Sequence, residues 1–251
     1  MPSTPAWPPS SLPRLYVAQV LSEGGHVTLD GPSANYLSAV LRLAPGDQVK
    51  LFDDKTGEWL AQLTDAGKKR ITLVVTRHLR PREPVPDLWL LFAPIKRGRI
   101  DWLIEKATEL GADRLIPVIT RRTIVDKVKP DRLLAHAIEA AEQCERTALP
   151  VLDEPRKLDA LLKVWPEDRI LYFADEQGGQ PLAEAASPDP AAILIGPEGG
   201  FTDEERAAIR ALPQARAVSL GPRILRADTA AIAALSVWMS AAGDWSEPVA
   251  R

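Results

Sequence analysis

Ala192-Ile193-Leu194-Ile195-Gly196-Pro197-Glu198-Gly199-Gly200-Phe201-Thr202-Asp203-Glu204-Glu205 changes character twice within one short stretch. Residues 192–195 are apolar, and the β-branched pair Ile193/Ile195 reads as a buried strand. Gly196, Gly199 and Gly200 free the backbone for tight or left-handed turning, and Pro197 fixes φ between them. Thr202 stands three residues before Glu205, the capping-box spacing that opens a helix. Backbone N–H and C=O groups exposed at such a strand-to-helix turn suit a small polar ligand. An ordinary βα turn carries the same signals, so the rest of the chain decides between them.

Working outward, the strand–helix alternation continues on both sides. The patterning predicts strands over 88–93, 114–119, 170–174 and 215–220. Between and after them it predicts helices over 99–110, 131–146, 202–212 and 229–242. The first of these buries Ile100, Leu103, Ile104 and Ala107 and is ended by Gly111. Such alternation means a mainly parallel sheet covered on both faces. Residues 14–78 have a β texture instead. Strands are expected over 14–17 and 70–75, with a hairpin of 49–52 and 59–63 across Lys55-Thr56-Gly57. One short helix, 33–42, carries Tyr36, Leu37, Val40 and Leu41 on one stripe. Short strands with turn punctuation suggest a small barrel. Arg80 to Pro86 is proline-rich and marks the boundary. The expected organisation is a disordered lead-in (1–13), a β-barrel domain (14–79), a linker (80–87) and an α/β domain (88–245).

Bulk properties narrow the function classes. The chain has 251 residues, 45% apolar and 26% charged, which is ordinary for a soluble globular protein. Nothing approaches the roughly 18 uninterrupted apolar residues that cross a bilayer, so no membrane partner is expected. The lead-in lacks the apolar core of a signal peptide. Cys144 is alone, so no intrachain disulfide can form and a cytoplasmic location fits; a small packed side chain is expected there. His26, His78 and His136 lack metal-ligand spacing, and no metal is expected. A net charge of −3 argues against non-specific coating of nucleic acid. Lys96-Arg97-Gly98-Arg99, Arg121-Arg122 and Lys127/Lys129/Arg132 nevertheless lean together towards a polyanion partner.

In an open α/β sheet, ligands sit beyond the carboxyl ends of strands. A second unusual loop stands at such an end: Leu220-Gly221-Pro222-Arg223-Ile224-Leu225-Arg226-Ala227-Asp228-Thr229. Gly221-Pro222 breaks the strand, Ile224 and Leu225 form an apolar wall between Arg223 and Arg226, and Asp228 or Thr229 can cap the last helix. There is no early G-x-G-x-x-G and no P-loop. A ligand with a purine and a flexible polar tail could be held by the two loops.

The two loops together, Leu194 to Phe201 and Leu220 to Arg226, resemble the paired signature of the ribosomal RNA small subunit methyltransferase E family, within the knotted SPOUT class. Arg14-Leu15-Tyr16, and Asn35 with Val40-Leu41-Arg42, resemble the start of that family's N-terminal domain. Lys106-Ala107-Thr108-Glu109-Leu110-Gly111 and Glu142-Gln143-Cys144-Glu145-Arg146 resemble its middle motifs. The resemblance implies a PUA-like β-barrel for RNA, followed by an α/β domain with a deep trefoil knot. It further implies a homodimer, S-adenosylmethionine bound in the knot, and methylation of uracil N3 in small-subunit (16S) ribosomal RNA or the 30S subunit. Two positions depart from the pattern. Tyr36 stands where a His often follows the Asn, and Ala227-Asp228 replaces a Thr-Glu before Thr229.

On this resemblance the cofactor residues are Leu194, Ile195, Gly196, Pro197, Glu198, Gly199, Gly200, Leu220, Gly221, Ile224, Leu225 and Thr229. The glycines, Gly199 among them, would keep side chains out of the cofactor's space. Glu198 would position the cofactor's amino group, act as a base or simply close its turn, and is placed with the cofactor site first. Arg226 is the catalytic candidate, stabilising negative charge on the uracil carbonyls; capping the loop or binding phosphate are its other readings. RNA contacts are assigned to Arg14, Asn35, Arg42, Arg97, Arg121, Arg122, Gln143 and Arg146. Two other functions compete. One is another SPOUT enzyme, acting on transfer RNA or on a ribose 2′-hydroxyl. The other is a non-catalytic RNA-binding protein of ribosome assembly.

Overall fold

A computed structural model of the chain describes residues 12–67, 70–96, 98–125 and 128–246. The expected disorder of the lead-in lies outside these residues up to residue 11, as do Arg97 and Lys127. The chain divides into two compact units: Met1–Pro84 with Ala141–Ala148, and Val85–Ala140 with Leu149–Arg251.

The first unit holds β1 (Arg14–Tyr16), β2 (His26–Asp30), α1 (Gly31–Asn35), a π-helical turn (Tyr36–Val40), β3 (Gln48–Asp53), β4 (Gly57–Ala66) and β5 (Arg70–Arg80). Its sheet runs β1-β3-β4-β5-β2, with β1 and β3 parallel and the other pairs antiparallel. The β3–β4 hairpin closes at Asp53 opposite Gly57. Gly57 has φ +99°, and a Cβ there would lie 2.3 Å from the Arg80 carbonyl, so only glycine fits. Alternating side chains of these strands, Val49, Leu51, Ala61, Leu63, Ile71, Leu73 and Val75, pack into one core.

The helix expected over 33–42 is instead α1 followed by the wider turn, where the Leu41 amide donates to the Tyr36 carbonyl. Widening the turn breaks the expected stripe. Leu37 is fully buried, while Tyr36 and Val40 are 41% and 63% exposed.

A buried carboxylate ties this unit together. Glu58 accepts from Arg14 Nε at 2.5 Å and Arg80 Nε at 3.1 Å, with Lys50 Nζ at 3.9 Å. Arg14 stacks 3.7 Å over the Phe52 ring and donates to the carbonyls of Ala141 and Arg146 at 2.6 and 2.7 Å. Those contacts explain why Ala141–Ala148 belongs with the N-terminal strands.

The second unit begins with β6 (Leu88–Phe92), α2 (Arg99–Glu109), β7 (Arg114–Ile119) and α3 (Pro130–Gln143). Next come β8 (Val151–Leu152), β9 (Arg156–Lys157), α4 (Leu158–Lys163), β10 (Ile170–Ala174), β11 (Gln180–Pro181) and α5 (Leu182–Ala185). The unit closes with β12 (Ala191–Ile195), α6 (Asp203–Arg210), β13 (Ala215–Ser219) and α7 (Ala227–Ala242). The strand order is β11-β13-β10-β12-β6-β7-β8, with β9 also on β7, and every pair is parallel.

Alternate residues of the central strands feed two different cores. Leu88, Leu90, Ile193 and Tyr172 meet α2 and α7, whereas Leu91, Leu194, Leu171 and Phe173 meet α4 and α6. Several helix ends differ from expectation, two of them at predicted site residues. The helix predicted to reach Arg146 stops at Gln143, and Glu145 takes φ +63°. The last helix starts at Ala227, with Arg226 as N-cap and no side-chain cap, so neither Asp228 nor Thr229 caps it. Asp228 lies in the first turn instead, where its charge suits the helix dipole, 3.8 Å from Arg99. Among the described residues, no helix is long and apolar enough to cross a membrane.

Candidate functional site

Because β13, β10 and β12 are neighbours in a parallel sheet, their carboxyl ends open side by side. The loops that follow them enclose a cavity of about 340 Å³. Nine of the predicted cofactor residues line it: Ile195, Gly196, Pro197, Glu198, Gly200, Leu220, Gly221, Ile224 and Leu225.

Three predicted residues and the catalytic candidate stand elsewhere. Leu194 is fully buried in the core on the α4/α6 side, because successive strand residues point to opposite faces. Gly199 turns outwards: its carbonyl accepts from Arg122 Nη1 at 2.6 Å, and a Cβ there would sit 3.4 Å from Arg122 Cδ. Thr229 is exposed, while Ala227 and Ala230, one helical turn apart, form the α7 wall. Arg226 is exposed at the helix N-cap, between the lining residues Leu225 and Ala227.

The third loop went unread in the sequence. Ala174, Asp175, Glu176 and Gly178 line the cavity. Asp175 has a fully buried side chain that pairs with Arg206 and, at 2.6 Å, with Arg210 on α6. Glu176 takes a second Arg206 nitrogen at 3.2 Å. The Arg206 Nε is buried without a hydrogen-bond partner. Gly200, at φ +67°, leaves room for the Glu176 carboxylate, which would stand 3.1 Å from an added Cβ. The signal was present: Asp175-Glu176-Gln177-Gly178-Gly179 follows a strand directly and sets acidic residues ahead of a glycine pair, as Glu198 stands ahead of Gly199-Gly200.

The predicted RNA contacts separate by burial. Asn35, Arg42 and Gln143 are exposed, and Arg42 takes a left-handed φ of 58° beyond the π-helical turn. Arg14 and Arg146 are buried instead, at 9% and 5% exposure, and Arg14 is engaged by Glu58 and by the carbonyl oxygens of Ala141 and Arg146. Arg97 lies outside the described residues. Arg121 is exposed, 3.3 Å from Glu204. Cys144, expected to be packed, is exposed just beyond α3.

Comparison with known proteins finds two matches along the chain. Residues 29–76 match the RNA methyltransferase PUA domain, and residues 81–239 the RNA methyltransferase domain. The ribosomal RNA small subunit methyltransferase E of Rickettsia conorii is 32% identical over 89% of this chain and 93% of its own. That of Synechocystis is 34% identical over 89% of this chain and 76% of its own. The structure of the Neisseria gonorrhoeae enzyme of the same name, bound to S-adenosylmethionine, superposes with a TM-score of 0.85 at 28% identity. It covers 94% of this chain and all of that one. A methyltransferase from Legionella pneumophila with the same cofactor bound gives 0.84 at 31% identity, over 93% and 99%.

Proposed function

The chain belongs to the ribosomal RNA small subunit methyltransferase E family, and on that premise we propose that it methylates uracil N3 of 16S ribosomal RNA from S-adenosylmethionine. The observation that carries the reading is the cavity at the three strand ends. Its volume of about 340 Å³ falls in the ~300–1,000 Å³ range of small-molecule sites. Ile195, Phe201, Leu225 and Ala230 give it an apolar wall suited to a purine. Glu176 and Glu198 add carboxylates suited to a cationic tail. Both ends of a nucleoside with a sulfonium and an ammonium group are thereby met. When bound, the cofactor supplies a methyl group activated by the positive sulfur.

Ile195 to Glu198, Gly200, Leu220, Gly221, Ile224 and Leu225 would hold the cofactor, with Glu176 added to the set. The protein's remaining task is to place the acceptor in line with the methyl group. Uracil N3 carries a proton, and its loss leaves charge on the flanking carbonyl oxygens. Arg226, exposed at the cavity's edge, supplies the cation that stabilises that charge. Asn35, Arg42, Arg121 and Gln143 serve as RNA contacts, where phosphate contacts set position and base contacts set specificity. A trefoil knot, a homodimer and a cytoplasmic location complete the reading. Calorimetry with S-adenosylmethionine tests it: saturable binding at one site per chain is expected. Absence of binding would reject both methyltransferase readings and leave a non-catalytic RNA-binding protein.

A further inference from the structure

The turn between β7 and α3 is fastened to the glycine loop that follows β12. Arg122 Nη1 donates to the Gly199 carbonyl at 2.6 Å. The Arg122 stem runs along Gly199, with Cδ and Cβ 3.4 and 3.5 Å from where a side chain would begin. Beside it, the Arg121 amide donates to Glu205 Oε1 at 2.7 Å. The other oxygen of that carboxylate accepts from the Thr202 amide at 3.0 Å, closing the α6 capping box. The turn is braced in itself, since Thr123 Oγ1 accepts from the Thr120 amide at 2.9 Å. On the loop's other side, Gly196 and Gly200 line the cavity.

We propose that Arg122 is a positioning residue that holds the glycine loop in the shape that accepts the cofactor. The inference rests on the cavity being the cofactor site. Glycines kept bare to admit a ligand lose the most conformational freedom when they order. The loop makes one turn bond of its own, from the Gly200 amide to the Pro197 carbonyl at 2.8 Å, and a further restraint that leaves the cavity free comes from outside. A guanidinium bonded to the Gly199 carbonyl meets that need, since a charged donor makes a stronger hydrogen bond than a neutral one. Cofactor affinity therefore depends on Arg122 even when no RNA is present, which a residue that only contacts RNA would not produce.

The test is calorimetry of S-adenosylmethionine, without RNA, on the wild-type chain, Arg122→Ala and Arg122→Lys. Steady-state KM for the cofactor and kcat at saturation are measured beside it. Arg122→Ala is expected to weaken cofactor binding about tenfold. KM for the cofactor rises to match while kcat at saturation is retained, and Arg122→Lys recovers part of the loss. If Arg122→Ala does not fold, Arg122→Gln replaces it and is read in the same way. Wild-type affinity in the variant, with only RNA affinity reduced, overturns the proposal and returns Arg122 to the RNA contacts. Failure of the wild-type chain itself to bind rejects the cofactor reading and the positioning role with it.

Discussion

At Gly200 the backbone takes φ +67°, and an added Cβ would lie 3.1 Å from the Glu176 carboxylate. A left-handed non-glycine residue costs about 1–2 kcal/mol, and Glu176 would have to move as well, so Gly200→Ala is expected to weaken cofactor binding about tenfold by calorimetry. Gly199→Ala meets only the aliphatic stem of Arg122 at ordinary contact distance, and its loss should be clearly the smaller of the two. Equal losses would mean that the loop is rotated from the arrangement described. Three glycines were legible in the sequence, but which of them faces the cavity was not. That depends on Arg122 and Glu176, which arrive from other loops. On the proposed function, Arg226 takes the catalytic role. Removing a preorganised donor from developing charge costs about 10²–10³ in kcat, so Arg226→Ala should lose about a hundredfold or more with cofactor affinity unchanged. Near-normal turnover in that variant would sink the assignment.

The helix α6 shows how one local motif supports the site. Thr202 Oγ1 accepts from the Glu205 amide at 3.2 Å, and the Glu205 carboxylate in turn accepts from the Thr202 amide at 3.0 Å. Thr202→Ala should therefore cost about 1 kcal/mol in denaturant unfolding. An unchanged unfolding midpoint would show that the cap carries no weight. This box was readable from spacing alone because both partners lie within one turn. The alternation of strands and helices from Leu88 onward was readable for a related reason: strand residues alternate between two cores, and helix residues recur on one face. The elements that escaped are set by distant partners. The end of α3 is fixed where the carbonyls of Glu145 and Arg146 accept from Arg80 and Arg14, far back in the chain. The π-helical turn at Tyr36–Val40 leaves Tyr36 and Val40 exposed, and apolar spacing alone assigns such residues to a buried stripe.

Over the whole molecule, the two units differ in what holds them. The second rests on two apolar cores, one on each face of its sheet. Both units bury partnered carboxylates, Asp175 in the second and Glu58 and Asp53 in the first, and the lowered pKa of Glu58 and Asp53 makes the first sensitive to acid. Burial alone would push the Glu58 carboxyl up, but hydrogen bonds and charge from Arg14 and Arg80 hold it below the usual range. Asp53 is likewise held down against its burial, by hydrogen bonds from Thr56 and from the amides of Leu21 and Lys55. Depressed carboxylates stabilise the fold fully above their unfolded pKa of about 4, and this stability is lost as pH falls through the lower folded value. The first unit should therefore loosen in acid, and Glu58→Gln should flatten that limb of the stability–pH curve. The same variant leaves Arg14 and Lys50 buried without their anion, at a cost of about 3 kcal/mol at neutral pH. A pH profile identical to wild type would contradict this. The central claim concerns chemistry on ribosomal RNA, and nucleoside mass spectrometry of 16S RNA from a strain lacking this protein tests it most directly. The account predicts that 3-methyluridine disappears from that RNA and returns when the purified protein and S-adenosylmethionine are added to the deficient subunits; 3-methyluridine persisting at its normal level would contradict it.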